Sequence, residues 1–123
     1  MSDGLLYMAA ALLIATAAVH SLLGERLLIA PLLARGEGIL AGKLARFVLR
    51  FAWHLTSLSW AVLALILIQL VHDPVSARWW AAASTGAAFT GAGLFDLIYS
   101  RGRHLGWPLL TGVGVAAFLS LAL

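Results

Sequence analysis

Polar positions are so sparse along this chain that the apolar runs between them define its elements. Residues 5–23 are apolar except at Thr16, His20 and Ser21, and residues 61–71 carry one polar side chain, Gln69. The second run reaches back to Phe51 through His54, Thr56, Ser57 and Ser59. At about 1.5 Å per residue, both stretches match a hydrocarbon core about 30 Å thick. His72, Asp73 and Pro74 close the second run, and Ser76 stands where a helix N-cap is expected. Ser100 to His104 makes the next turn, and Pro108 suits the first turn of a last helix. The pattern predicts helices over 5–23, 44–71, 77–99 and 105–123. The fold class is an all-α integral membrane protein, a four-transmembrane-helix up-and-down bundle forming one transmembrane domain over residues 1–123.

Residues 24–43 are the longest connection, broken by Pro31 and by Gly36, Gly38 and Gly42. Leu27, Leu28, Ile29, Leu32 and Leu33 are too apolar for a free loop, so the segment is expected to lie in the head-group region. Lys43, Arg46 and Arg50 recur at helical spacing ahead of the second helix and are placed to grip lipid phosphates. Small residues repeat every fourth position in the third helix, at Ala82, Gly86 and Thr90 and again at Ala83, Ala87 and Gly91. Gly112, Ala116 and Ser120 offer a matching face on the fourth. Such stripes let helices approach closely.

Composition agrees with the pattern and narrows the class. With 63% hydrophobic residues, 11% charged residues and a mean hydropathy of +1.00, the chain cannot cover itself with a solvated surface. Cysteine is absent, which excludes disulfides and thiolate metal ligation. Asp3 and the lack of an early lysine or arginine argue against a cleaved leader, so the first helix is expected to persist.

Charge sets an orientation. Arg26, Arg35, Lys43, Arg46, Arg50, Arg101 and Arg103 fall on one side of the predicted helices, and Arg78 alone falls on the other. The excess of basic residues marks the cytoplasmic side, which predicts a bacterial inner-membrane protein with both termini outside, in the periplasm. The net charge of +3 is explained by this bias, so membrane lipids are expected partners and nucleic acid is not.

The candidate chemistry gathers at the basic end. His20, His54, His104, Asp96 and Glu25 all fall within a few residues of that leaflet, with Arg50, Ser21 and Ser57 as supporting groups. Ionisable groups at such depth are costly and point to function. Imidazoles and carboxylates from several helices are what a zinc or iron site requires. The expectation is a transition-metal centre with His20, His54 and His104 as ligands and Asp96 or Glu25 completing or orienting the set. Haem, with His20 and His54 as axial ligands, is a second cofactor reading; it would have to displace Phe51, Trp53 and Trp60. Histidines near an interface also bond backbone carbonyls, and Asp96 can pair with Arg50, Arg26 or Arg101 as a staple. Two further functional classes remain open: an oligomeric channel or transporter for protons, ions or small solutes, with small-residue faces serving homo-oligomer contacts, and a non-catalytic assembly or accessory subunit. No catalytic residue is assigned. Ser21 directly follows His20, about 100 degrees away around a helix, so the two do not form a nucleophile pair.

Overall fold

A computed structural model describes residues 3–122, and among these the chain is all-helical. Helix α1 spans Asp3–Arg35, α2 spans Lys43–His72, α3 spans Ala77–Ser100 and α4 spans Gly106–Leu119. The first three are long and apolar enough to cross a membrane. Consecutive helices pack on one another, α1 on α2, α2 on α3 and, most extensively, α3 on α4. Large apolar side chains such as Leu12, Leu63, Ile98 and Leu109 stand exposed, while Ala10, Ala17, Ala64 and Ala92 are buried. This distribution suits helices that meet through small side chains and face hydrocarbon with large ones.

The first helix does not end at Leu23. It runs about 50 Å, at about 1.5 Å per residue, through most of the expected head-group connection. Two π-helical turns, Val19–Leu23 and Glu25–Ile29, make this continuity possible. In them the Gly24 amide bonds Val19 O and the Ala30 amide bonds Glu25 O, each reaching one residue further back than an α-helix would. Pro31 follows directly on the second π-turn; it has no N–H to donate, so the helix passes it with one backbone bond fewer. The helix stops at Gly36, whose φ of 61° is the left-handed conformation glycine adopts without strain. The true connection is therefore short and contains only the 3-10 turn Gly38–Ala41.

Two other expectations are revised. Helix α4 has 14 residues, about 21 Å long, which falls short of a hydrocarbon core about 30 Å thick. Ser120 adds one more α-type bond to Ala116 O, Leu121 and Ala122 follow as tighter turns bonding three residues back, and Leu123 lies outside the described residues. The α3–α4 seam uses the expected Gly86 and Thr90 on α3 but a different face of α4 from the one expected. Gly93 and Gly114 are buried, and a Cβ on Gly93 would stand 2.7 Å from the Thr111 amide. A Cβ on Gly114 would collide with Thr90, and one on Gly86 would meet the Phe118 ring at 2.8 Å. Gly112, Ala116 and Ser120 instead point away and are exposed. Both candidate faces carry small residues, but Thr111, Gly114 and Phe118 fit the close approach.

Candidate functional site

The π-helical turns of α1 coincide with its polar residues. His20 and Ser21 lie in the first and Glu25 in the second, and all three reach side chains of α2. Wide turns of this kind often mark functional sites because they alter which consecutive residues share a face. Here the pairing is crossed. His20 Nδ1 lies 3.0 Å from Ser57 Oγ, Ser21 Oγ lies 3.0 Å from His54 Nδ1, and the two hydroxyl oxygens are 2.8 Å apart. On α2, His54 and Ser57 are three residues apart and so share one helical face. Two imidazoles are thereby joined through two hydroxyls.

The His54 end terminates in charge. Its Nε2 is 3.1 Å from Glu25 Oε2, and Glu25 Oε1 is 2.8 Å from Arg50 Nη2. Glu25 thus stands between the cation and the histidine, so Arg50 does not address His54 directly. The His20 end terminates in aromatic rings. Trp53 stacks on the imidazole with centroids 4.1 Å apart and planes 9° apart, and Trp60 meets it edge-on at 5.0 Å. The Trp53 indole N–H donates to His20 O over 2.9 Å, while the Gly24 amide bonds Val19 O instead. Gly24 leaves space for the indole; a Cβ there would lie 2.6 Å from Trp53 Cζ2.

His104 and Asp96 form a separate pair. His104 Nδ1 donates to Asp96 Oδ2 over 2.7 Å across the α3–α4 turn, and Asp96 is fully buried. Phe51 approaches the His104 ring edge-on at 6.5 Å. Asp96 Oδ1 and Ser100 Oγ, one turn apart on α3, have no hydrogen-bond partner among the described residues. Asp96 therefore ties the α3–α4 turn back onto α3 through His104, and it forms none of the expected ion pairs with Arg50, Arg26 or Arg101 among the described residues.

The five candidate ligands are divided accordingly. His20, His54 and Glu25 belong to the α1–α2 network, whereas His104 and Asp96 belong to the α3–α4 pair. Among the described residues no group of three or more histidines and carboxylates is arranged to hold a metal ion. Both ring nitrogens of His54 already have partners, Ser21 and Glu25. The tryptophans that a haem would have to displace pack directly on His20.

Trp53 joins this network, although the sequence reading brings it in only as a ring that a haem would displace. A signal was present in Gly24, a small residue one turn from His20, which admits a large ring from a neighbouring helix. Ser21 and Ser57 were found as supporting groups, but their role as bridges depends on the π-turns. Comparison with protein-family profiles, curated proteins and solved structures found no match to this chain.

Proposed function

We propose that this chain is a polytopic membrane protein, running up and down with its basic end in the cytoplasm, and that its α1–α2 network relays a proton within the membrane. The observation that carries this reading is the unbroken series of hydrogen bonds, 3.0, 2.8 and 3.0 Å, from His54 Nδ1 through Ser21 and Ser57 to His20 Nδ1. Histidine and carboxylate chains are how proton paths are built where water is excluded.

The donors balance in two arrangements. With His54 doubly protonated, it donates Nε2–H to Glu25 and Nδ1–H to Ser21, Ser21 donates to Ser57, and Ser57 donates to His20 Nδ1. Moving one proton along each bond transfers the Nδ1 proton of His54 to Ser21, that of Ser21 to Ser57, and that of Ser57 to His20. His54 loses one proton, His20 gains one, both hydroxyls are restored, and the three bonds of the His54–Ser21–Ser57–His20 series reverse direction while His54 Nε2–H still donates to Glu25. Each end is equipped for the charge it receives. Glu25 faces the His54 imidazolium, and the Trp53 ring lies 4.1 Å from His20, within the cation–π range of about 6 Å. Metal ligation at His54 would instead have to displace Ser21 or Glu25 from a nitrogen.

The test is 15N spectroscopy of histidine-labelled protein in liposomes. His20 and His54 should share one exchanging proton, and Ser57→Ala, which removes the middle hydroxyl, should give each imidazole an independent signal. Shared exchange that persists in Ser57→Ala would overturn the relay. The orientation is tested separately: a C-terminal alkaline phosphatase fusion should be active and a matching GFP fusion dark.

A further inference from the structure

We infer that the groove between α1, α2 and α3 binds the acyl chain of an anionic phospholipid, with Arg46 receiving the lipid phosphate. A cavity of about 670 Å³ opens at the basic end, walled by Phe47, Phe51, Phe95 and Tyr99 with Ala34 of α1 opposite. A second cavity of about 430 Å³ shares Phe51, His54 and Phe95 with the first and continues to Leu58 and Ala88. The two form one furrow along α2. From Arg46 to Leu58 the helix advances about 18 Å, close to one leaflet of a hydrocarbon core about 30 Å thick. The lower end is open as well, because a Cβ on Gly91 would meet nothing within 4 Å.

The furrow has stiff walls. Phe47 stacks on Phe51 at 5.6 Å, Phe51 on Phe95 at 5.9 Å, and Phe95 lies 4.3 Å from Tyr99, so the rings brace α2 against α3. Aromatic faces in fixed positions present a preformed apolar surface to a chain.

Charge decides which chain. Arg50, beside the groove, is paired with Glu25. Arg46 is not paired with a carboxylate among the described residues; its Nη1 donates only to the carbonyls of Leu40 and Ala41, at 3.1 and 3.4 Å. Carbonyls orient a guanidinium without neutralising it. Arg46 therefore holds an uncompensated positive charge at the head-group end, with Lys43 one turn before it, and its remaining donors suit phosphate oxygens. A zwitterionic lipid could lay its chain in the same furrow but would bring no net charge to Arg46.

The experiment is native mass spectrometry of the purified protein exchanged into equal amounts of phosphatidylglycerol and phosphatidylcholine. The wild type should retain phosphatidylglycerol in roughly fivefold excess, the preference that one basic side chain near the head groups supports. Arg46→Gln should bring retention of the two lipids close to equal while helicity is unchanged. Gly91→Leu, which fills the lower furrow, should reduce retention of both. Equal retention by the wild type, or an undiminished preference in Arg46→Gln, would overturn the head-group assignment. Full retention in Gly91→Leu would overturn the path of the chain.

Discussion

Gly24 lies so close to Trp53 that a Cβ added to it would stand 2.6 Å from the indole Cζ2. The same indole stacks on His20 and donates to its carbonyl, so the glycine sets the position of one end of the hydrogen-bond network. Gly24→Ala should force Trp53 aside and cost about 1–3 kcal/mol, the usual range for overpacking. Thermal unfolding in detergent, with tryptophan fluorescence recorded alongside, should show both a lowered midpoint and a changed indole environment. An unaltered midpoint and spectrum would show that α1 and α2 can separate there without loss.

His104 and Asp96 should behave as a buried pair. Asp96 is fully buried and His104 is the one hydrogen-bond partner of its carboxylate among the described residues. Removing the imidazole by His104→Ala leaves a buried carboxylate uncompensated, which should cost on the order of 3 kcal/mol. His72→Ala, at an exposed position at the other end of α2, should change stability by less than about 0.5 kcal/mol. Comparable unfolding midpoints for the two variants would contradict the pairing.

Substituting a glycine inside the α3–α4 seam and one that faces away from it should have opposite signs. Gly93→Ala places a methyl 2.7 Å from the Thr111 amide and 2.9 Å from Trp107 O, so the helices must move apart and stability should fall by about 1–3 kcal/mol. Gly112→Ala meets nothing within 4 Å and gains up to about 1 kcal/mol of helix propensity. Denaturant or thermal titration of both variants checks the signs, and destabilisation by Gly112→Ala would return the seam to the face first expected from the sequence.

Asp73 links the α2–α3 turn to pH. The Ser76 hydroxyl, and then the Ser76 backbone N–H at 3.2 Å, hold its carboxyl below the ordinary aspartate range. A depressed folded-state value means that the contribution is present above the unfolded value of about 3.9 and is lost as pH falls through the lower folded value. NMR titration of Asp73 should give a midpoint below that of an unstructured peptide, and Ser76→Ala should raise it. A midpoint that Ser76→Ala leaves in place would remove Ser76 as the cause.

Much of this protein is written locally. Hydropathy determined that the chain is helical and picked out three helices that can cross a membrane, because both properties depend on runs of neighbouring residues, but the fourth helix it predicted to cross is only 14 residues long. The turn at Asp73 and Pro74 and the lengths of α2 and α3 were equally legible. The candidate polar residues were also visible, since each histidine or carboxylate stands out against an apolar run. What lay beyond the sequence was their partnership. The continuation of α1 past Gly24 and Pro31 depends on two π-helical turns, and these are stabilised by contacts with α2 that no local propensity encodes. Those turns bring Ser21 to His54 and His20 to Ser57, a crossed pairing hidden from a regular 100-degree projection. Similar depth in the membrane suggested that His104 and Asp96 would join them, but depth is one coordinate of three. His104, in the turn that follows α3, closes back on Asp96 eight residues earlier, while the packing of α1 on α2 brought His20, His54 and Glu25 together apart from that pair.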